Sequence, residues 1–300
     1  MVSLETDLNG LILKNPIIAA SGTYGYNFEY NVFNDVKKLG AIVTKGVTLE
    51  VRSGNQGERL FETYGGMINR IGLENIGIYE FFKKQPQNFD YILNIAGACV
   101  EDYVTCAKIC EENKVKAVEL NVSCPNVKAG CMEFGTDENL LYDLIKKFKQ
   151  EYTGYLIVKL TPNVTSAEKM AQAVQKAGAN AISAINTVKG MGVKLEFENG
   201  RFVKSIVEGG LSGRCIKPVA LSFVNRISKV VNIPIIGMGG IYSLDDVFEF
   251  LAVGASAVEV GTANFTQPDI CSSLVDELEI FMQKNNFKTI ESLCEALRNG

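Results

Sequence analysis

The sequence predicts an α/β fold, a (β/α)₈ TIM barrel that forms a single domain over residues 1–300. Short runs of apolar, β-branched residues recur along the chain, and helical patterns separate most of them. The runs are continuously apolar rather than alternating, which is typical of parallel strands buried on both faces. The chain has a length that suits eight strand–helix units, and it contains no linker-like or low-complexity segment.

Eight runs of four or five residues are predicted to be the barrel strands. In chain order they cover 17–20, 41–44, 91–95, 117–120, 156–160, 181–185, 233–237 and 257–260. The alternative is a doubly wound sheet, which would normally place a G-x-G-x-x-G turn after the first strand. Residues 21–25 match that turn poorly, so the barrel is favoured.

Three of the intervening segments carry helix signals. Residues 165–168 begin with a threonine and end with a glutamate, the pattern of a capping box, and Gly178 provides a stop. Residues 243–246 repeat the pattern, with Gly254 after them. Apolar residues recur at helical spacing over 140–148, with acidic residues before them and lysines at the end, which suits the helix dipole.

The composition excludes several classes of function. The chain has no histidine, so it cannot hold a Ser-His-Asp triad, a Cys-His dyad, an H-E-x-x-H zinc site or a histidine proton switch. The net charge is −4, from 30 basic and 34 acidic residues, so we expect no duplex nucleic acid as a partner. No apolar run has the roughly 18 residues needed to cross a bilayer, and the first residues lack the pattern of a signal peptide.

Eight cysteines are scattered along the chain without a C-x-x-C pair. This usage favours a reducing compartment, and we expect a cytoplasmic protein. We also expect neither a zinc site nor an iron–sulfur cluster on this chain. Cys106 and Cys110 lie four residues apart in a helical pattern and are predicted to face the core.

Polar residues or glycines follow all eight predicted strands. In chain order they are Ser21, Lys45, Asn94, Asn121, Lys159, Asn186, Gly239 with Gly240, and Gly261 with Thr262. In a barrel the chemistry is carried at these carboxyl ends. The three long connections, 46–90, 121–135 and 186–217, also follow strands, and loops of this length are usually functional.

Glycines after the seventh and eighth strands suggest a phosphate site. Barrels often bind phosphate with the loops at Gly239–Gly240 and Gly261–Thr262, through backbone N–H groups. The segment 209–213 offers a further amide. The alternative is that these are ordinary turn glycines.

Lys45 and Lys159 both follow apolar strand residues. They are open to three interpretations: a side chain that extends to water, a Schiff-base lysine, or a fixed cation beside a developing anion. A reduced flavin is such an anion.

The segment 121–126, Asn-Val-Ser-Cys-Pro-Asn, is the most informative cluster. Cys124 follows the fourth strand, with amides at Asn121 and Asn126 on either side. In a chain without histidine, a cysteine is a credible proton acceptor, because its pKa of roughly 8.5 lies within reach of neutral pH. A buried core thiol is the alternative.

Together with other stretches, this cluster resembles dihydroorotate dehydrogenase, the flavin enzyme family of pyrimidine synthesis. The matching stretches, in the order of the family, are 15–23, 44–46, 66–75, 121–126, 158–160, 185–187, 209–213, 216–221, 236–241 and 260–265. Cysteine at position 124 resembles class 1, and the run from Gly54 to Met67 resembles its B type, which passes electrons to NAD.

The resemblance implies a role for each motif. FMN would lie across the barrel mouth and contact Ser21, Lys45, Gly46, Asn94, Asn121, Lys159, Ile185, Gly213, Gly239, Gly240, Gly261 and Thr262. Dihydroorotate would be held by Lys45, Asn69, Arg70, Ile71, Gly72, Leu73, Asn121, Asn126, Asn186 and Thr187. Cys124 would remove the C5 proton while hydride leaves C6 for the flavin, which gives orotate.

The B type further implies a partner subunit with FAD and a [2Fe–2S] cluster, and a homodimer of this chain within a heterotetramer. Four positions depart from the family pattern: Arg70 stands where a small residue is usual, Gly57 and Arg214 where proline is common, and Cys131 where glycine is common. Three other functions stay open: the fumarate-coupled A type, a Schiff-base lyase that uses Lys159 or Lys45, and a non-catalytic binding subunit for a phosphate ligand.

Overall fold

The computed structural model of the chain describes residues 2–26, 35–84, 91–123, 125–126 and 132–300. Along these residues the strands are β1 (Thr6–Asp7), β2 (Ile12–Leu13), β3 (Ile17–Ala19), β4 (Ala41–Ile42), β5 (Leu60–Thr63), β6 (Gly66–Asn69), β7 (Ile92–Ile95), β8 (Ala117–Asn121), β9 (Pro125–Asn126), β10 (Met132–Glu133), β11 (Tyr155–Leu160), β12 (Ala181–Ala184), β13 (Val188–Glu198), β14 (Arg201–Ser212), β15 (Ile235–Met238) and β16 (Ala257–Val260). The α-helices are α1 (Ile78–Lys84), α2 (Val100–Glu112), α3 (Glu138–Glu151), α4 (Ala167–Ala177), α5 (Lys217–Ile227), α6 (Leu244–Ala252), α7 (Ala263–Thr266), α8 (Ile270–Lys284) and α9 (Ile290–Asn299).

Eight parallel strands form the barrel, in the order β4-β3-β16-β15-β12-β11-β8-β7. Bridges from Val43 to Ile92 and from Val47 to Ile95 join the two edge strands and close it. The (β/α)₈ prediction is therefore confirmed. Each of the eight predicted runs overlaps one of these strands, and the run 257–260 coincides with β16.

The barrel strands alternate between two hydrophobic cores. Ile17 and Ala19 of β3 belong to the outer core, with the helices, whereas Ile18 belongs to the inner one. This alternation follows from the period of two in a β-strand. The hairpin β1–β2 packs Leu8 and Leu13 into the inner core and so covers the amino-terminal end of the barrel.

The helices begin close to the predicted positions, with one correction. Helix α4 is capped by Ser166, which accepts from the Lys169 N–H, and not by the threonine at 165. The Glu168 carboxylate therefore does not complete a capping box, and it pairs with Arg226 instead. Gly178 ends the helix in the left-handed conformation, as predicted.

The two other predicted helices agree with the sequence analysis, and so do the core cysteines. Asp137 caps α3 and Ser243 caps α6. Cys106 and Cys110 are fully buried, and burial raises the pKa of the Cys106 thiol to about 12. They are core residues, as expected.

A four-stranded antiparallel sheet, in the order β13-β14-β6-β5, is built from two of the long connections. Leu211 of β14 pairs with Ile68 of β6, which links segments far apart in sequence. Residues 46–90 and 186–217 are thus partly regular sheet rather than loop. None of the helices within the described ranges is long and apolar enough to cross a membrane.

Candidate active site

One cavity of about 890 Å³ opens at the carboxyl ends of the barrel strands, beside the antiparallel sheet. The residues that the resemblance assigns to a cofactor all line it: Ser21, Lys45, Gly46, Asn94, Asn121, Lys159, Ile185, Gly213, Gly239, Gly240, Gly261 and Thr262. So do most of those assigned to a substrate, namely Lys45, Asn69, Arg70, Ile71, Gly72, Leu73, Asn121, Asn186 and Thr187. The structure therefore brings both predicted sets together around one space.

Two predicted residues of the segment 121–126 need a separate description. Cys124, the predicted base, lies outside the described residues, as does Cys131. Asn126 lies in strand β9, where its backbone pairs with Met132 of β10. Cys124 directly follows Ser123, which lines the cavity, and Asn126 stands three residues after it.

Glycine is required where the loops after β14 and β15 meet. Gly239 and Gly240 have φ of +123° and +80°, a region that other residues rarely adopt. A Cβ at Gly240 would lie 2.7 Å from the Lys217 Cβ and 3.1 Å from the Gly213 carbonyl oxygen. The two loops therefore approach each other closely, as in backbone sites that bind phosphate through bare N–H groups.

Amides and hydroxyls form a connected group at the ends of β8 and β12. The Asn186 Nδ2 donates to the Ser123 Oγ at 3.0 Å and to the Asn121 Oδ1 at 3.3 Å. The Asn186 Oδ1 accepts from the Thr187 N–H at 2.8 Å. Behind them, the Tyr103 hydroxyl donates to the Asn121 carbonyl at 2.7 Å. These contacts hold the amides in fixed orientations, which suits a flat ligand with both donors and acceptors on its edges.

The loop 69–73 is held by buried Asn75, a residue that was not predicted to have a role of its own. Asn75 accepts from the N–H groups of Thr48 and Gly77, and it donates to the Leu73 carbonyl. Lys45 lines the same cavity as this loop, and its ammonium lies 3.9 Å from the carboxylate of Glu74, the next residue after the loop.

Lys159 does not extend to water, so that interpretation of this lysine is wrong. The residue is 6% exposed, and its ammonium lies inside the barrel, 3.4 Å from Glu119 and 3.5 Å from Glu259. Burial lowers the pKa of Lys159, but the charges of both carboxylates and their hydrogen bonds outweigh it, so the pKa lies above the ordinary lysine value. A Schiff-base lysine needs a neutral amine, and this environment favours the ammonium.

Sequence reasoning missed Glu119 and Glu259, which are fully buried. Together with Lys159 they form a polar layer inside the barrel, next to the apolar inner core and closer to the carboxyl ends of the strands. Glu119 stands two residues after Ala117, Glu259 two after Ala257, and Lys159 two after Ile157. The signal was present as a charged residue in the middle of an apolar strand. Burial raises the pKa of Glu259 well above its usual value, the negative charge of Glu119 raises it further, and Lys159 opposes the shift.

Comparison with known proteins identifies the family. The sequence pattern of the dihydroorotate dehydrogenase family matches residues 3–282. The chain belongs to the dihydroorotate dehydrogenase family. It is therefore an oxidoreductase of a flavin-dependent family.

Several relatives are similar over nearly the whole chain, and each bears the name dihydroorotate dehydrogenase B (NAD(+)), catalytic subunit. The protein of Porphyromonas gingivalis is 44% identical over 304 residues, which cover 99% of this chain and 98% of that protein. That of Enterococcus faecalis is 44% identical, covering 99% and 97%. That of Fusobacterium nucleatum is 45% identical over 287 residues, covering 94% of each.

Proposed function

We propose that this chain oxidises (S)-dihydroorotate to orotate in de novo pyrimidine synthesis, with FMN bound in the cavity described above. One observation carries the proposal: the residues expected for the cofactor and most of those expected for the substrate line the same cavity in a chain that belongs to the family. Residues 1–300 then form one catalytic domain. The scattered cysteines support a cytoplasmic location.

The residues present fit FMN. Gly213, Gly239, Gly240, Gly261 and Thr262 line one part of the cavity, where a phosphate needs bare backbone N–H groups. The Asn94 Oδ1 is buried and accepts no hydrogen bond from the described residues, and Asn94 also lines the cavity. An acceptor buried without a donor is costly, and the ring N–H of a flavin would satisfy it. When bound, FMN would supply the acceptor for the hydride at C6 of the substrate.

The chain itself supplies binding, charge and a base. We assign Cys124 to removal of the proton at C5, because it follows β8 directly after Ser123 and the chain has no histidine. Asn69, Asn121, Asn126 and Asn186 pair with the edges of the substrate, and Lys45 pairs with its carboxylate. The buried ammonium of Lys159 stabilises negative charge on the cofactor.

Product analysis tests the reaction. The FMN-loaded chain is incubated with (S)-dihydroorotate and an artificial electron acceptor, and orotate is quantified by chromatography. With a two-electron acceptor we expect orotate in equal amount to acceptor reduced, and none from the (R) enantiomer as a matched control. Acceptor reduction without orotate would contradict the proposal.

We propose that NAD⁺ is the final acceptor, reached through a partner subunit that carries FAD and a [2Fe–2S] cluster. The names of the relatives, which include NAD(+) and catalytic subunit, support this. We expect NADH formation only when the partner subunit is added. Turnover with fumarate by this chain alone would instead support the A type.

A homodimer is supported by the hairpin β13–β14. One face of it carries exposed apolar side chains, at Met191, Val193, Leu195, Phe197, Phe202 and Ile206. Single chains rarely expose so large an apolar face. The same face holds Lys204, opposite Leu195, and Glu208, opposite Met191. A second copy related by a two-fold axis that passes through this face near Ile206 would bring Lys204 of one copy near Glu208 of the other.

Sedimentation of the purified chain tests this dimer. Val193→Glu places a charge in the centre of the face and should yield monomers. Ile280→Glu, at an exposed residue of α8, is the matched control and should leave the dimer intact. Equal effects of the two changes would refute the assignment.

A further inference from the structure

Two carboxylates and one ammonium lie together in the barrel interior, beneath the cavity. The Lys159 Nζ lies 3.4 Å from the Glu119 Oε1 and 3.5 Å from the Glu259 Oε2, and both carboxylates are fully buried. The main influences on the pKa values of Lys159 and Glu259, besides burial, come from within this group. The group therefore has a net charge of −1 if both carboxylates are ionised, and of zero if one of them holds a proton.

The hydrogen bonds distinguish the two carboxylates. Glu119 accepts from three side chains: the Asn94 Nδ2 at 2.6 Å, the Ser183 Oγ at 2.7 Å and Lys159. Such a set of donors stabilises an ionised carboxylate. Glu259 accepts only from Lys159, and its Oε1 has no donor among the described residues. A buried carboxylate with so few donors is better accommodated as the neutral acid.

The position of the group explains why its charge matters. Lys159, Asn94 and Glu259 all line the cavity, so the group forms part of the cavity floor. With one proton, the ammonium faces the cavity as part of a neutral group. With no proton, a second negative charge would face the same space and would repel any anion that forms there.

We propose that Glu259 is a positioning residue that holds a proton as a neutral carboxylic acid while Glu119 is the sole anion of the group, so that the Lys159 ammonium faces the cofactor without a net negative charge behind it. The effect on the cofactor rests on the proposed function, whereas the proton on Glu259 does not. The raised pKa of Glu259 agrees with this arrangement. The proposal assigns a role to a residue that never needs to touch the substrate.

Infrared spectroscopy of the flavin-free chain tests the proton directly. At neutral pH we expect the carbonyl stretch of a protonated carboxylic acid, and its loss in Glu259→Gln. Glu277→Gln, at an exposed residue of α8, is the matched control and should retain the band. A wild-type spectrum without the band, or a band that survives Glu259→Gln, would overturn the proposal.

The wild-type chain alone provides a second test that does not depend on folding of a variant. As the pH rises, Glu259 should lose its proton and the band should disappear. A band that is absent at every pH above the ordinary carboxyl range would overturn the proposal. Because these spectra need no flavin, they stay informative even if the proposed function fails.

The role toward the cofactor has its own readout. In wild type, the affinity for reduced FMN divided by that for oxidised FMN should fall, on the order of tenfold, as Glu259 loses its proton. In Glu259→Gln this alkaline loss should vanish, since the amide cannot ionise. The measurement is the reduction potential of bound FMN against pH, with Glu277→Gln as control. An alkaline loss of equal size in Glu259→Gln would overturn the role.

Discussion

Replacing Gly240 with alanine tests the assignment of the phosphate to the glycine loops. Gly240 has φ of +80°, and an L-residue in the left-handed region costs about 1–2 kcal/mol. The new Cβ would also lie 2.7 Å from the Lys217 Cβ, closer than a packed structure accepts. Overpacking of this kind costs about 1–3 kcal/mol more. We expect the loop to shift, and FMN to bind at least tenfold more weakly.

Gly178→Ala is the matched control. Gly178 caps α4 with φ of +95°, and a Cβ there would meet no atom within 4 Å. The backbone cost is therefore similar, about 1–2 kcal/mol, without any contact at the cavity. Both variants should be less stable, and only Gly240→Ala should lose affinity for FMN.

The assay combines thermal unfolding of each flavin-free variant with titration of FMN, followed by flavin fluorescence. If Gly240→Ala binds FMN as tightly as Gly178→Ala does, the loops after β14 and β15 do not hold the phosphate, and the assignment is refuted.

Three further predictions concern the base, a surface ion pair and the core. Cys124→Ala should nearly abolish reduction of bound FMN by dihydroorotate, and Cys124→Ser should be slow and recover partly at high pH; in rapid mixing, a wild-type rate in both would exclude Cys124 as the base. The hydrogen bonds from Arg226 lower the pKa of exposed Glu168 to about 2, so the contribution of this pair to stability is present above about pH 4.3 and is lost as pH falls through about 2. Arg226→Ala should thus lower the Tm at neutral pH. The difference in Tm between this variant and wild type should disappear as the pH falls from about 4.3 to about 2, and a difference that persists would contradict the pairing. Phe250 is fully buried beneath β15, and its replacement by alanine should lower the free energy of unfolding, measured in urea, by about 3–5 kcal/mol. A decrease of less than about 1 kcal/mol would show that the site repacks.

The barrel was predictable because buried parallel strands leave a local signature. Each strand is a short apolar run, and closure of eight such runs fixes which ends meet. The residues at those ends, such as Asn121 and Gly240, therefore came together as predicted without any knowledge of tertiary contacts. The start of α4 was missed by one residue because Thr165 and Ser166 are both good caps, and only the extended backbone at Ser166 decides between them.

The polar layer was missed for a different reason. The functional residues were predicted to follow the strands, whereas Glu119 and Glu259 lie within them. A strand sends alternate residues inward, so the residue two positions before the end also faces the barrel interior. Whether that interior position is apolar core or cavity floor depends on how deeply the barrel is filled from its amino-terminal end by residues such as Leu8.

The antiparallel sheet carried a local signal that went unused. Val193, Leu195 and Phe197 alternate with polar residues or glycine, and Asn199-Gly200 follows them, the pattern of a two-residue hairpin. The structure shows both turn residues with positive φ. The pairing of β14 with β6, in contrast, joins distant segments and leaves no trace in either one.

The visible spectrum of the purified chain, before and after anaerobic addition of (S)-dihydroorotate, tests the central claim most directly. We expect flavin absorbance, in the chain as isolated or after reconstitution with FMN, that bleaches on addition of the substrate. A chain that fails to bind FMN after reconstitution, or bound flavin that stays oxidised, would contradict the claim that this cavity couples dihydroorotate oxidation to FMN.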